Sequence, residues 1–251
     1  MLGLLNTVLS RGGSLLTYVK DGLVMANRFL TPPKLSHPAQ GSAEFNGTSD
    51  YIQLNDPFSH TNHTIAAWVY PNGAGNQKYF FDNRDTNNDG IVLISWSDER
   101  ILYQINGANI FSTDTIINDW VFVVATYDGT TQKLYFDGSL QGSQATNKTI
   151  DVAFNAVIGR SGYSASEYFN GNLANVAIWN RALSSDEINS VMWKSYEALS
   201  GTESNGLQAW YALDDITSPA ASLANMQQLA TDKNATIENT AAITAAINSL
   251  S

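Results

Sequence analysis

Asp85, Asn87 and Asp89 stand at alternate positions ahead of Gly90 in the run DTNNDG (85–90), and oxygens at that spacing can wrap a hard cation such as calcium. Only the first half of a calcium loop is present. The position where such a loop places its bidentate glutamate is Trp96, inside an apolar run, so a helix-loop-helix calcium site is excluded. Two readings stay open: a calcium loop on Asp85, Asn87 and Asp89, or a polar hairpin turn whose Asp and Asn side chains cap their own backbone.

Aromatic rings in loops of small residues offer a second chemistry. GRSGYSASEYF presents Tyr163 and Tyr168, and Phe111 lies in another polar stretch read as a loop. Such rings can stack on sugars while amides or carboxylates take the hydroxyl hydrogen bonds, so Tyr163, Tyr168 and Phe111 are the candidate glycan-binding residues. Trp68, Trp120 and Trp179 fall at strand positions and are expected in the core. Acid-base catalysis finds no support. Asp98 and Glu99 are adjacent and point apart, while Asp186 and Glu187 fall in the first turn of a helix, where they favour its dipole. His37, His60 and His63 occupy polar or proline-bearing loops with no nucleophile elbow, and His60 and His63 in SHTNHT read as a solvated loop rather than a metal pair. No catalytic residue is assigned, and the chain is expected not to be an enzyme.

Association is the third chemistry. Residues 1–17 form an apolar arm carrying Leu2, Leu5 and Leu9, interrupted by Gly12-Gly13 and too short to fold alone. Exposed apolar clusters are unfavourable, so these leucines are expected to dock on neighbouring subunits or on a second copy.

The elements that must position these residues are strands. Alternation and β-branched or aromatic enrichment predict them at Tyr51 to Leu54, Thr64 to Tyr70, Tyr79 to Asp82, Ile91 to Trp96, Arg100 to Ile105, Trp120 to Tyr127, Gln132 to Phe136 and Asn172 to Trp179. Asp128-Gly129 and Asp137-Gly138 are hairpin signals, so pairing is antiparallel. In IVLISW both alternating faces are apolar, which places that strand centrally. One helix is expected after Ser184, where Glu187 completes a capping box and Ile188, Val191, Met192 and Tyr196 repeat at helical spacing. The chain thus reads as a docking arm (1–17), an all-β antiparallel two-sheet sandwich (18–200) and a C-terminal extension (201–251). In the extension, GLQAWYALDD adds an edge strand beside the N-terminal one and a tail follows.

Composition narrows the partners. The net charge is −10, which repels a phosphate backbone, so nucleic acid is not an expected partner. Cysteine is absent, which excludes disulfides and cysteine-ligated zinc. No apolar run has the length of a membrane span, and MLGLLNTVLSRGG lacks a basic residue ahead of its apolar stretch, so no secretion signal is expected.

Four segments recur in a characteristic order: FNGTSDYIQL (45–54), TIAAWVYP (64–71), WVFVVATYDGTTQKLYFDG (120–138) and FNGNLANVAIWNRALSSDEI (169–188). Over residues 20–195 this order resembles the concanavalin A-like lectin and glucanase superfamily, and within it the LamG-like jelly rolls. The resemblance implies a jelly-roll sandwich with a binding or assembly surface. Glucanase-type members carry a Glu-x-Asp-x-x-Glu strand, which this sequence lacks. Members often hold calcium with an acidic pair in the segment matching GNLANV, and here Ala174 and Asn175 stand there. The apolar arm followed by YVKDGLVMANRF and FNGTSDYI also resembles the layout of structural proteins in tailed bacteriophages. The resemblance implies a noncatalytic virion protein on the particle surface, a head decoration, fibre or tail component. Its lectin-like domain would be displayed for attachment to host-surface glycan, and its partners would be other virion subunits and copies of itself. A free carbohydrate-binding lectin or adhesin module is the alternative.

Overall fold

A computed structural model of the chain describes residues 41–54, 60–73, 78–85, 87–150, 155–164 and 167–213, together with two short strands at 8–9 and 15–16. The chain divides into two compact units, Met1–Ser36 and His37–Ser251. In the first, β1 (Val8–Leu9) pairs antiparallel with β2 (Leu15–Leu16), Val8 opposite Leu16 and Leu9 opposite Leu15. Leu9 therefore belongs to a hairpin, whereas Leu2 and Leu5 lie outside the described residues.

The second unit is a sandwich of two antiparallel sheets, a jelly roll. One sheet orders β12 (Ser139–Ala145), β11 (Thr131–Phe136), β10 (Val121–Tyr127), β5 (His63–Pro71), β14 (Asn170–Trp179) and β15 (Leu207–Tyr211). Strand β3 (Ala43–Asn46) also pairs with β14, through Asn170 to Leu173, while β15 takes Val176 to Trp179. These two short strands thus share one edge of β14. The other sheet orders β4 (Ile52–Gln53), β13 (Val157–Ile158), β6 (Lys78–Asp82), β7 (Ile91–Ser95), β8 (Arg100–Ile105) and β9 (Ala108–Thr115).

Period-two alternation explains how the core is filled. Along β5, Ile65, Ala67 and Val69 enter the inter-sheet core with Val123, Leu173 and Ile178 of their own sheet and Phe81, Leu93, Ile101 and Tyr103 of the facing one. The intervening Ala66 and Trp68 join a second apolar layer on the outer side, with Phe122, Val124, Trp179 and Trp210. That layer is closed by α1 (Ser185–Val191), whose Ile188 and Val191 are buried against it and whose N-terminus carries the expected Ser184–Glu187 capping box. Strand β7 is interior to its sheet, as its doubly apolar sequence requires: Ile91 and Leu93 face the main core, and Val92 and Ile94 face the other side.

Two connections differ from the expectation. Phe111 is not in a loop. It lies within β9, which a two-residue Asn106-Gly107 turn joins to β8, both turn residues having positive φ (42° and 80°). The second is where the sandwich ends: GLQAWY forms the edge strand expected of it, and that strand, preceded by the short helix α2 (Gly201–Ser204), belongs to the larger sheet rather than to an extension beyond residue 200. Among the described residues no helix is long and apolar enough to cross a membrane.

Candidate functional site

The feature that organises one rim of the smaller sheet is Asp82, at the end of β6 and completely buried. An isolated buried carboxylate would be strongly unfavourable, and every part of this one is bonded. Its Oδ1 accepts from the backbone N–H and Nε of Arg84 (2.9 and 3.0 Å), and its Oδ2 from an Arg84 Nη (2.8 Å), the Ser161 hydroxyl (3.2 Å) and the Gly162 N–H (3.1 Å). Burial works against the charge of Arg84, yet the Asp82 carboxylate holds its pKa above the ordinary value. This fork ties the 83–90 turn and the 159–168 loop to one strand end.

The 159–168 loop is pinched at its base by Ser161 N–H to Glu167 O (2.9 Å) and Phe169 N–H to Gly159 O (2.8 Å), with an antiparallel bridge between Arg160 and Tyr168. Gly159 has φ +89°, and a Cβ there would fall 2.3 Å from the Phe45 ring, so no other residue fits. The base being fixed, the tip is presented outward: Tyr163 is 63% exposed.

Pairing of β13 with β4 brings Tyr51 beside this loop. Its ring centroid lies 6.4 Å from that of Tyr168, and the Arg160 guanidinium carbon sits 3.9 Å over it. Tyr51 is 42% exposed. Tyr51, Tyr168 and Arg160 therefore form a compact aromatic and cationic rim, with Tyr163 on the same loop. Such a surface can stack on a sugar ring and donate hydrogen bonds to it.

The three sequence-derived glycan residues do not converge. Tyr163 and Tyr168 share the loop beside β13, but Phe111 on β9 is at the opposite edge of the sheet, with β6, β7 and β8 between. There it packs edge-on to Trp96 (5.7 Å) and under Arg100 (4.6 Å), as part of the apolar outer face with Tyr79, Ile94 and Leu102. The residues beside Tyr168 are instead Tyr51 and Arg160. The only sequence sign of Arg160 is its position between the glycine and serine of GRSG, while Tyr51 reads simply as a strand start.

The Asp85, Asn87 and Asp89 turn is built as the self-capping alternative describes. Asp85 Oδ1 accepts the N–H groups of Asn87 (2.8 Å) and Asp89 (2.9 Å), Asp85 Oδ2 accepts from the Asn87 amide (3.3 Å), and Asp85 N–H reaches Asp89 O (2.9 Å). The Asn88 side chain, at φ 69°, accepts from Arg84 (2.6 Å) and joins the turn to the Asp82 cluster. Among the described residues no group of three or more His, Asp or Glu is placed to hold a metal ion. Ala174 and Asn175 fall at a bulge in β14, with Asn175 at φ 48° and its N–H bonded to Ala212 O.

His63 is fully buried rather than in a solvated loop. Its Nδ1 faces Thr61 O (3.1 Å), so Nδ1 carries the proton, and Nε2 accepts from the Tyr103 hydroxyl (2.7 Å). Burial pulls its pKa down to about 4 and pushes that of Tyr103 well up, keeping both neutral.

A family model for the Concanavalin A-like lectin/glucanases superfamily matches residues 46–189. Among solved structures, a candidate carbohydrate-binding protein from Bacteroides ovatus is 18% identical with a TM-score of 0.56 over 68% of this chain and 52% of its own. The chain thus spans about half the length of that protein. The heptameric SAP-like pentraxin of Limulus polyphemus is 19% identical (TM-score 0.50, covering 63% of this chain and 84% of that one). Domain 4 of an extracellular arabinanase from Geobacillus stearothermophilus, solved with arabinotriose, is 18% identical (TM-score 0.50, covering 60% and 76%). At these identities the likeness is one of fold. No curated protein matches the chain.

Proposed function

We propose, for a chain that belongs to the Concanavalin A-like lectin/glucanases superfamily, a noncatalytic glycan-binding function exercised at the Tyr51, Tyr168 and Arg160 rim with Tyr163 at its margin. The observation that carries this reading is the exposed Tyr51 ring, flanked by Tyr168 and stacked by Arg160 on a loop that buried Asp82 holds rigid. Rigid placement matters because a preformed platform spends little binding energy on ordering itself. The carbohydrate-binding description of the Bacteroides ovatus protein and the arabinotriose held by the arabinanase domain support the same class of ligand. Catalysis has no place in this reading, since the buried carboxylate at the rim is consumed by Arg84, Ser161 and Gly162.

A glycan array probed with the full chain tests it. Binding to at least one glycan is expected, and Tyr51→Ala and Tyr168→Ala should each weaken it roughly tenfold, the worth of one ring contact, with the melting temperature retained. Unchanged binding in both variants would refute the site.

A second reading concerns where the module is carried. The layout of the apolar arm ahead of the sandwich favours a subunit of a tailed-phage virion, with the sandwich outward and the arm engaging neighbours. Mass spectrometry of purified particles should then find the chain at fixed stoichiometry, and its absence from particles removes this reading.

A further inference from the structure

Arg160 differs from the other arginines whose contacts define the sandwich. Arg84 is forked onto Asp82, Arg100 onto Asp98 and Arg181 onto Glu187, each within 2.8 Å. Among the described residues Arg160 forms no ion pair with a carboxylate, and its guanidinium nitrogens make no hydrogen bond to them. Its Nε is shut off from solvent without an acceptor, while its Nη nitrogens, equally unbonded, are not. Stacking over Tyr51 at 3.9 Å is what holds the group.

As a stabilising device this is poor. A stacked cation at an exposed site contributes about 0.5–1 kcal/mol, whereas a buried donor without a partner costs about 1–3 kcal/mol. What the arrangement does provide is an unneutralised planar charge, pre-oriented at the edge of an aromatic platform, with its terminal donors in solvent. The neighbouring carboxylates do not satisfy it. Asp50 is occupied by Asn46 N–H (3.0 Å) and the Ser49 hydroxyl (3.2 Å), and Glu167 forms no ion pair with Arg160.

We propose that the rim selects glycans bearing an acidic group, a carboxylate or a sulfate, which Arg160 receives through its Nη donors while Tyr51 and Tyr168 contact the sugar ring. The inference rests on the glycan-binding reading above and specifies its ligand. A guanidinium fork matches two acceptor oxygens in one plane, which a neutral hydroxyl cannot offer. The net charge of −10 sets the size of the ligand. A long polyanion is repelled by the whole surface, so one acidic sugar in an otherwise neutral chain is the better fit.

Matched pairs of glycans test this with the full chain: uronate- or sialate-bearing oligosaccharides beside their carboxyl-reduced counterparts, and sulfated ones beside their desulfated counterparts. The acidic member of at least one pair should bind roughly tenfold tighter, the pair in question telling carboxylate from sulfate. That preference should vanish in Arg160→Gln, whose affinity for the acidic member falls to its affinity for the neutral one, and Arg160→Lys should keep only part of it. Equal binding of acidic and neutral members, or a preference that survives Arg160→Gln, overturns the charge inference and leaves glycan binding standing. Failure of every glycan to bind overturns both.

Discussion

His63 is the residue whose environment makes the sharpest demand on solution conditions. It lies buried between Tyr103 and Tyr127, and burial lowers its pKa to about 4 from an ordinary 6.5 against the opposing pull of its bond to Thr61 O. Above pH 6.5 both folded and unfolded chains carry a neutral imidazole, so stability there is complete. As pH falls below 6.5 the unfolded chain takes up a proton that the folded one refuses, and stability declines until about pH 4. The loss by pH 5 should be about 2 kcal/mol. Carboxylates act in a lower window. The Arg181 fork lowers Glu187 to about 2, and for Glu203 the bonds from Lys194 and Ser190 outweigh burial with the same result, so their stabilisation fades only below 4.5. Urea unfolding at pH 7.5 and pH 5.0 should therefore show the drop in the natural chain and little of it in His63→Phe; a pH-independent midpoint would refute the neutral core histidine. Sequence could not reveal this residue, because SHTNHT reads as polar while the first residue of β5 turns inward. Tyr163 and Tyr168 were legible from their glycine and serine neighbours. Tyr51 and Arg160 were not, since their contact is made by pairing β4 with β13 across a hundred residues of chain.

Among elements, those with two apolar faces or a strong cap were readable. Strands β5, β7, β10 and β14 and helix α1 are specified by their own residues, because each must bury apolar side chains on both sides or close a capping box. Strands β3, β9, β12 and β13 were missed for a common reason. They are edge or near-edge strands, very short or rich in Ser, Thr, Gln and Asn, and pair because a neighbouring strand offers its hydrogen-bonding edge. For β9 a signal did exist: Asn106-Gly107, the strongest two-residue hairpin sequence, lies directly between it and β8. Gly107 isolates the value of that turn, for a Cβ there meets nothing within 4 Å and only its backbone conformation, φ +80°, resists substitution. Gly107→Ala should accordingly cost about 1 kcal/mol in equilibrium unfolding. Gly159→Ala, which combines a similar φ with a collision against Phe45 and the Asp50 carbonyl, should cost several times as much. Equal effects at the two positions would mean that the Gly159 collision relaxes freely and that the rim is less rigid than its hydrogen bonds imply.

At the scale of the molecule, the question is which stretch of chain makes one cooperative unit. Among the described residues, the inter-sheet core and the outer layer under α1 run from Ala43 to Leu213. Strand β15 completes the edge of β14, burying Leu207, Trp210 and Leu213, and Glu203 O accepts the indole N–H of Trp179 at 2.7 Å. Burying each such side chain stabilises by about 1.5–3 kcal/mol, so a chain ending at residue 200 forfeits an amount comparable to the roughly 5–15 kcal/mol that holds a domain folded. It also leaves Ile178 and Trp179, on the edge of β14, without the strand they pair with. A chain starting at residue 37 should thus unfold cooperatively within a few degrees of the full-length melting temperature, and one ending at residue 200 should show no cooperative transition. The sedimentation of the first shows in addition whether residues 1–36 carry self-association, as the docking-arm reading requires: the shortened chain should run as a monomer where the full chain runs larger. If the shortened chain keeps the larger size, self-association resides in the sandwich. If it loses its cooperative transition, residues 1–36 contribute to the core and the assignment of two separate units fails.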